Sequence, residues 1–183
     1  IIIAGLIGEK LPHSLSPQIH EKYGRLAGLN IVYSLHETAA DGLAALLDRL
    51  EADGYAGVNV TIPYKKAVMP YLDSLSPEAQ AIGAVNTIRF DSGGRTGYNT
   101  DYFGLKSLLE RNGIRLAGRR VVVLGSGGAA RCAYFLARDE GAAEVFTVSR
   151  RPEEADSDIA AISYAALERM DSINLLINAT PVG

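Results

Sequence analysis

Short apolar runs alternate with stretches of helical periodicity through the first half of the chain. The runs at 2–7, 31–35 and 56–62 predict buried strands, and the patterns at 17–27 and 39–52 between them predict helices. Strands that alternate with helices are typical of α/β proteins with a mainly parallel sheet. This part of the chain is therefore predicted to be an α/β domain.

The middle of the chain is richer in turns. Its patterns predict short helices near 64–71 and 77–82 and strands near 84–90 and 95–98. The composition of Asp91-Ser92-Gly93-Gly94 favours a hairpin turn between these two strands.

A second α/β pattern follows a helical stretch over 101–112. It consists of strand 120–124, helix 128–139, strand 143–148, short helix 163–170 and strand 173–178. We place the domain boundary on the connecting helix, which gives domains at 1–102 and 103–183. A doubly wound dinucleotide-binding domain has about six strands, so three predicted strands indicate a partial one. We therefore expect native residues beyond the ends of this chain, above all after Gly183.

Composition and charge narrow the classes of function. The 183 residues are 48% hydrophobic and 21% charged, with a formal net charge of -3, so neither nucleic acid nor an anionic membrane is an expected partner. No apolar run approaches the roughly 20 residues that cross a bilayer. The single cysteine, Cys132, cannot form an internal disulfide, which predicts a reducing, cytoplasmic location and a packing role for this residue. We expect no metal site, and we expect His13 and His20 to pack in a loop and on a helix face.

The clearest motif is a glycine turn between a strand and a helix. Strand 120–124 leads directly into Gly125-Ser126-Gly127-Gly128-Ala129-Ala130, and an Ala- and Leu-rich helix follows. In this context Gly125 permits a tight turn, Gly127 lets a pyrophosphate approach the backbone, and Ala130 allows close packing. The helix N-terminus offers N–H groups to phosphate. The turn therefore predicts a dinucleotide site, although similar turns also serve as plain connectors.

The end of the next predicted strand indicates which dinucleotide binds. NAD sites commonly place an acidic residue there, whereas this chain has Ser149-Arg150-Arg151. The planar donors of arginine suit a 2′-phosphate, so NADP is favoured. Two alternatives remain: a solvated arginine loop, or a ribose contact from Glu153 or Glu154.

Two serines precede the first predicted helix. Ser16 is predicted to be its N-cap, with Pro17 at the first helical position. Capping alone explains an isolated Ser-Pro pair. However, Ser14 and Ser16 are two residues apart, so in an extended segment both hydroxyls point the same way and can hold a small carboxylate.

Polar residues also lie near the C-terminal end of the third predicted strand. Val58, Val60 and Ile62 are predicted to share one strand face, and Asn59 and Thr61 the other. Because a strand covered on both faces is normally apolar on both, Asn59 and Thr61 are predicted to line a ligand crevice at the carboxyl edge of the sheet.

Three further polar residues are candidates for the same crevice. Lys65 follows the strand closely and must be partly desolvated or placed among charges to act as a base, whereas Lys66 is expected to be solvated. Asn86 ends a strand-like run, and Asp101 opens the connecting helix. A simple helix N-cap is the alternative role for Asp101.

Taken together, the chain closely resembles the shikimate dehydrogenase family. The matching stretches are Gly8-x-x-x-x-His13-Ser14-x-Ser16-Pro17-x-x-His20, Asn59-Val60-Thr61-Ile62-Pro63-Tyr64-Lys65, Ala84-Val85-Asn86-Thr87, Tyr98-Asn99-Thr100-Asp101-x-x-Gly104, Gly125-Ser126-Gly127-Gly128-Ala129 and Asn178-Ala179-Thr180-Pro181-x-Gly183. They occur in the family's order and spacing over nearly the whole chain. The resemblance implies an N-terminal α/β substrate-binding domain followed by a Rossmann-type NADP-binding domain that is incomplete at its C-terminus.

The resemblance also implies a reaction and residue roles. The reaction is the reversible, NADPH-dependent reduction of 3-dehydroshikimate to shikimate in aromatic amino-acid biosynthesis. Ser14 and Ser16 match the residues that hold the substrate carboxylate. The residues matched to the ring hydroxyls are Thr61, Asn86 and Asp101, with Asn59 nearby, and Lys65 matches the acid/base residue paired with Asp101. Cofactor contacts are implied for Gly125, Ser126, Gly127, Gly128, Ala129, Ser149, Arg150, Arg151 and Thr180.

One departure and two alternatives accompany this resemblance. The family's Asn-Arg-Thr is replaced by Ser149-Arg150-Arg151, which keeps the arginine that grips the 2′-phosphate. A quinate/shikimate dehydrogenase that uses NAD or NADP is one alternative, although Ser16 favours shikimate over quinate. A non-catalytic ligand-binding fragment is the other, and a homodimer is left open as the assembly.

Overall fold

The computed structural model describes residues 1–180, in which the chain forms two compact units. The first is Ile1–Thr100, and the second begins at Asp101. The division lies close to the boundary predicted at residue 102, on the same connecting helix. No helix within residues 1–180 has the length and apolar character needed to cross a membrane.

The first unit contains six strands and three α-helices. In chain order they are β1 (Ile2–Gly8), α1 (Ser16–Leu26), β2 (Ile31–Glu37), α2 (Leu43–Ala52), β3 (Gly57–Val60), β4 (Ser74–Leu75), α3 (Pro77–Ile82), β5 (Thr87–Asp91) and β6 (Gly94–Tyr98). Short 3-10 turns cover Ala40–Gly42 and Met69–Tyr71. The predicted hairpin turn is confirmed, because β5 ends at Asp91 and β6 begins at Gly94.

The strands form one mixed sheet in the order β2-β1-β3-β5-β6-β4. β1 runs parallel to β2 and β3, with Ile7 opposite Val60, so these strands end at the same edge. β5 and β6 run antiparallel because the tight hairpin reverses the chain. The loops that leave the carboxyl ends of β1 and β3 therefore start at the same edge of the sheet, and they carry several of the predicted polar residues.

The hydrophobic core of this unit takes up one face of β3, which leaves the side chains on the other face available to a binding site. Leucines spaced along α2, including Leu43, Leu47 and Leu50, pack with Val58 and Val60 in one buried cluster. A smaller cluster contains Leu6, Leu11 and Tyr33. Since side chains alternate along a strand, Asn59 projects away from the α2 cluster.

Some local predictions are wrong. The segment 64–71 is not an α-helix but a series of turns that ends in the 3-10 turn Met69–Tyr71. β3 ends at Val60 instead of residue 62, and Ile62 is 78% exposed, so it does not share the buried face with Val58. The physical reason is Pro63, which has no N–H with which to extend a ladder. The two-residue strand β4 was not predicted.

The second unit is a parallel α/β layer. Its elements are α4 (Thr100–Arg111, which begins on the last residue of the first unit), β7 (Arg120–Leu124), α5 (Gly128–Asp139), β8 (Glu144–Val148), β9 (Ala161–Ile162), α6 (Tyr164–Leu167) and β10 (Leu175–Asn178). The strand order β10-β7-β8-β9 is parallel throughout. Taken from the other edge, it reproduces strands 3-2-1-4 of a dinucleotide-binding fold. The Rossmann-type prediction is confirmed, and the two-residue β9 adds a strand to the three predicted.

Candidate active site

An open cleft of about 790 Å³ lies at the carboxyl edge of β1 and β3 in the first unit. Six of the residues predicted to bind substrate line it: Ser14, Ser16, Asn59, Thr61, Lys65 and Asn86. Asp101 belongs to the second unit, where it is exposed in the first turn of α4. The pairing of Lys65 with Asp101 therefore stays a prediction. Because α4 begins at Thr100, Asp101 is not the N-cap of that helix.

The two serines are used differently from the predicted capping arrangement. α1 begins at Ser16, so Ser16 is its first helical residue, Pro17 follows as the second, and no side chain caps the helix. The Ser14 hydroxyl instead accepts a hydrogen bond from the Ser16 amide at 3.3 Å. This local bond stabilises the entry of the chain into the helix. The prediction of Ser16 as N-cap is wrong.

A connected set of hydrogen bonds runs beneath the cleft. The buried Tyr33 hydroxyl donates to Asn59 Oδ1 at 2.7 Å, and its ring stacks on His20 with centroids 4.1 Å apart. Asn59 Nδ2 in turn donates to Thr87 Oγ1 at 3.0 Å and to the Asn86 carbonyl at 3.4 Å. Both ends of the Asn59 amide are thus engaged by the protein.

Asn86 has a defined orientation. Its Oδ1 atom accepts hydrogen bonds from Thr87 Oγ1 at 3.0 Å, Thr100 N at 2.9 Å and Thr100 Oγ1 at 3.1 Å. Because three donors converge on the oxygen, the amide NH₂ is the part of Asn86 that can still donate to a ligand. Asn86 is 8% exposed, so a hydrogen bond made there is shielded from water.

Lys65 is held in the cleft by its backbone neighbours. The preceding turn is closed by a bond from Tyr64 N to Thr61 O at 2.9 Å, and the buried Tyr64 hydroxyl donates to the Thr38 carbonyl at 2.6 Å. On the other side, Val85 N donates to the Lys65 carbonyl at 2.7 Å. Lys65 is partly buried, whereas Lys66 is exposed as predicted. The turn therefore presents one of two adjacent lysines to the cleft.

Tyr33 also gives this unit a measurable dependence on alkaline pH. Burial raises the pKa of Tyr33 from 10.0 to about 12, although the Ser16 hydrogen bond opposes the shift. The resulting stabilisation is complete below the pKa of the unfolded chain and is lost as the pH rises through the folded pKa. In urea denaturation we expect the free energy of unfolding to fall more steeply above about pH 10 in the native protein than in Tyr33→Phe. Tyr23→Phe, at an exposed tyrosine, should behave like the native protein, and equal slopes for Tyr33→Phe would contradict this assignment.

A second cleft, of about 610 Å³, lies at the carboxyl ends of β7, β8 and β10. Its lining includes the predicted cofactor residues Gly125, Ser126, Gly127, Ser149, Arg150 and Thr180. Gly128 and Ala129 are exposed at the start of α5. The motif residues 181–183 lie outside the described residues.

The glycine turn has the shape that a dinucleotide requires. Gly125 has φ +117°, and a Cβ there would lie 3.0 Å from the Ala179 carbonyl oxygen, so only glycine fits without strain. A Cβ on Gly127, by contrast, would meet no protein atom within 4 Å. No side chain caps α5 at Gly127. This open, uncapped N-terminus is suited to a pyrophosphate.

The two arginines after β8 differ in their contacts. Arg151 Nη1 pairs with Glu154 Oε1 at 2.7 Å, and the Arg151 amide donates to Ser149 Oγ at 3.2 Å. Arg150 lines the second cleft, and no ion pair of Arg150 is found within residues 1–180. Glu154 is therefore engaged with Arg151, which favours a phosphate contact from Arg150 over a ribose contact from Glu154. Thr180 donates through its amide and hydroxyl to Asn178 Oδ1, at 3.0 and 2.7 Å.

Only one of the two histidines packs as predicted. His20 packs on Tyr33, and its Nδ1 lies 2.8 Å from the Ser16 carbonyl, but His13 is exposed at the cleft and does not pack. Cys132 is buried. Within residues 1–180, no group of three or more His, Cys, Asp or Glu side chains is arranged to hold a metal ion. The sequence analysis did not identify Tyr33 or Thr87 as part of the site. Each lies in a strand, where tyrosine and threonine are common residues that suggest only a structural role.

Comparisons with known proteins identify the family of this chain. The model of the shikimate dehydrogenase substrate binding domain matches residues 6–88. The shikimate dehydrogenase (NADP(+)) of Clostridium perfringens is 45% identical over 184 residues, which cover 98% of this chain and 68% of the relative. A chorismate mutase/shikimate 5-dehydrogenase fusion protein from Clostridium acetobutylicum has a TM-score of 0.92 at 39% identity, over 98% of this chain and 67% of that one.

A relative with both ligands bound is also similar. The shikimate 5-dehydrogenase of Thermus thermophilus, solved in complex with NADP(H) and shikimate, has a TM-score of 0.86 at 36% identity, over 98% of this chain and 69% of that one. The chain thus covers about two thirds of each of these relatives. It belongs to the shikimate dehydrogenase family.

Proposed function

We propose that the protein catalyses the reversible, NADPH-dependent reduction of 3-dehydroshikimate to shikimate in aromatic amino-acid biosynthesis. The observation that carries this proposal is the cleft of the first unit, where hydroxyl and amide groups surround a single partly buried lysine. Such a site suits a small polyhydroxylated acid whose alcohol exchanges a proton. Family membership identifies that acid, and the second cleft supplies a dinucleotide site.

Each polar residue has a role in binding. Ser14 and Ser16 lie at the start of α1, and their hydroxyls hold the substrate carboxylate. Thr61 and the NH₂ group of Asn86 bond ring hydroxyls. Asn59 lines the same cleft, and its amide, which Tyr33 and Thr87 hold in place, contributes to substrate binding.

Lys65 is the acid/base residue. In the direction of reduction, its ammonium donates a proton to the substrate oxygen as the carbonyl becomes an alcohol, and in oxidation the neutral amine takes that proton back. Asp101 orients the ammonium in this assignment. The bound NADPH supplies the hydride. The backbone bonds of the Lys65 turn keep its position constant in both directions.

The cofactor residues fit NADP. The start of α5, with Gly125, Ser126, Gly127, Gly128 and Ala129, holds the pyrophosphate. Arg150 binds the 2′-phosphate, and Ser149 and Arg151 shape its loop through their mutual hydrogen bond. Thr180 completes the wall of the cleft beside Gly125.

The 2′-phosphate role of Arg150 has a direct test. We expect Arg150→Ala to raise the KM for NADP about tenfold or more, because a charge-assisted hydrogen bond contributes about 1.5–3 kcal/mol. The KM for NAD should change little, since NAD lacks this phosphate. Arg151→Ala is the matched control and should have a smaller effect, because Arg151 pairs with Glu154. Equal effects of Arg150→Ala on both cofactors would rule out the assigned role.

The function itself is tested by following NADPH absorbance with the full-length protein. Shikimate and quinate are each combined with NADP and with NAD, which also tests the alternative of a quinate/shikimate dehydrogenase. We expect turnover with shikimate and NADP to exceed the other three combinations. Absence of turnover with all four, despite binding of NADP, would identify a non-catalytic ligand-binding protein.

Location and assembly are part of the proposal. We propose a cytoplasmic enzyme whose partners are its small substrate and cofactor, with no nucleic acid or membrane partner. The net charge of -3 and the single cysteine support this assignment. The molar mass of the full-length protein in light scattering distinguishes a homodimer from a monomer.

A further inference from the structure

A buried arginine in the second unit has no role in the reaction described above. Arg131 lies in the first half of α5 and is 8% exposed, and within residues 1–180 it is the one buried charged side chain. A buried guanidinium is tolerated only when it is well paired, so its partners show what it stabilises.

The partners of Arg131 come from the connection between β8 and β9. Its Nη1 forms an ion pair with Asp156, and its Nη2 lies 4.0 Å from Asp158 Oδ2. The guanidinium carbon also lies 5.6 Å from the centre of the Phe135 ring. The two carboxylates are 61% and 50% exposed, whereas the arginine side chain is 10% exposed. Two side chains of a surface loop thus meet one fixed group on the helix.

Other contacts define the loop that Arg131 holds. Two backbone hydrogen bonds close the ends of this loop. Thr147 N donates to the Ala160 carbonyl at 2.9 Å, and Ser149 N donates to the Ile162 carbonyl at 3.1 Å. The Tyr134 hydroxyl of α5 accepts a bond from Ala160 N at 2.9 Å. Between these ends, the loop 149–160 contains Arg150. Arg138 of α5 also donates to the Asp158 carbonyl at 3.4 Å. Without the ion pair to Asp156, the segment between Arg150 and Asp158 would lose an anchor on α5, and its conformational freedom would be larger.

We propose that Arg131 is a positioning residue for cofactor selectivity: it holds the loop 149–160 on α5 and thereby keeps Arg150 beside the second cleft. The same helix begins at the glycine turn, so one rigid element sets the place of the pyrophosphate and of the loop that carries Arg150. This inference rests on the proposed function, because it assumes that Arg150 meets the 2′-phosphate of NADP.

The test measures binding without catalysis. The full-length protein is titrated calorimetrically with adenosine 2′,5′-bisphosphate, which carries the 2′-phosphate, and with AMP, which lacks it. We expect Arg131→Met to weaken binding of the bisphosphate about tenfold, because a displaced contact group loses most of its directional interaction. Binding of AMP should change less than about twofold, and Arg131→Lys should restore part of the loss because it keeps the charge.

Two further variants separate positioning from general destabilisation. Arg120→Met removes a comparable ion pair, to Glu144, at the amino ends of β7 and β8, and it should leave the Kd of both ligands unchanged. In an Arg150→Ala background, Arg131→Met should cause no additional loss of bisphosphate binding. Asp156→Asn removes the same contact from the exposed side and should reproduce the effect if Arg131→Met does not fold.

The outcomes distinguish this inference from the proposed function. Equal weakening of both ligands by Arg131→Met, or additive losses with Arg150→Ala, would overturn the positioning role. A native protein that binds the bisphosphate but does not oxidise shikimate would instead overturn the proposed function and leave the role of Arg131 standing.

Discussion

Replacing Lys65 with alanine is expected to lower kcat for shikimate oxidation by about 10²–10⁴-fold, the usual contribution of a positioned acid/base group. The KM for shikimate should change little, because in the proposed site the carboxylate and ring hydroxyls are bound by Ser14, Ser16, Thr61 and Asn86. The expected loss arises in the proton exchange at the substrate oxygen, which is the step proposed for Lys65. Steady-state kinetics with saturating NADP measures both constants.

Lys66→Ala is the matched control for this experiment. It removes the same charge one residue away, but Lys66 is exposed and does not line the cleft, so kcat should stay near that of the native protein. A Lys65→Ala variant with near-normal kcat would rule out proton transfer by Lys65. A large rise in KM with unchanged kcat would show that Lys65 binds substrate in the ground state.

Replacing Gly127 with alanine is expected to raise the Kd for NADP at least about tenfold without unfolding the protein. A Cβ at this position meets no protein atom within 4 Å, so the folded chain accommodates it. The added methyl group lies where the second glycine of the motif lets the pyrophosphate approach the backbone, and that approach is lost. Calorimetric titration with NADP and a thermal melt of the same sample test the two parts of the prediction.

Gly125→Ala should fail in a different way. At φ +117° an alanine is strained by about 1–3 kcal/mol, and its Cβ would also press on the Ala179 carbonyl oxygen 3.0 Å away. We therefore expect a lower Tm for Gly125→Ala, by about 2–4 °C for each kcal/mol, and a nearly unchanged Tm for Gly127→Ala. Equal melting temperatures for the two variants would contradict the distinction between a backbone role and a ligand-approach role.

Much of this organisation could be predicted from local patterns. The strands around Ile7 and Val121 are apolar runs of the right length, and the turn at Gly125 stands between a strand and a helix. Ser16 was misplaced by one helical position, since residues near a helix start differ little in their local preferences. The segment after Pro63 has apolar residues at helical spacing, but turns anchored by Tyr64 replace the predicted helix.

Other features depend on residues far apart in the chain. The side chains of Tyr33, Asn59 and Thr87 form one hydrogen-bonded set. Asn59 lies 26 residues after Tyr33 and 28 residues before Thr87, so the outer two are 54 residues apart in the chain. No local pattern links them. The same holds for Arg131 and Asp156, which are 25 residues apart.

The order of strands and helices, the glycine turn and the polar residues after β3 follow from the sequence, because side-chain periodicity and backbone preference act over a few residues. Which atoms of those residues remain for a ligand is decided by tertiary contacts. Asn86 keeps its NH₂ group because Thr87 and Thr100 occupy its oxygen, and Arg150 is distinguished from Arg151 because Glu154 engages the latter. Hydrogen bonds and ion pairs between distant segments exist only after the sheet has brought those segments together.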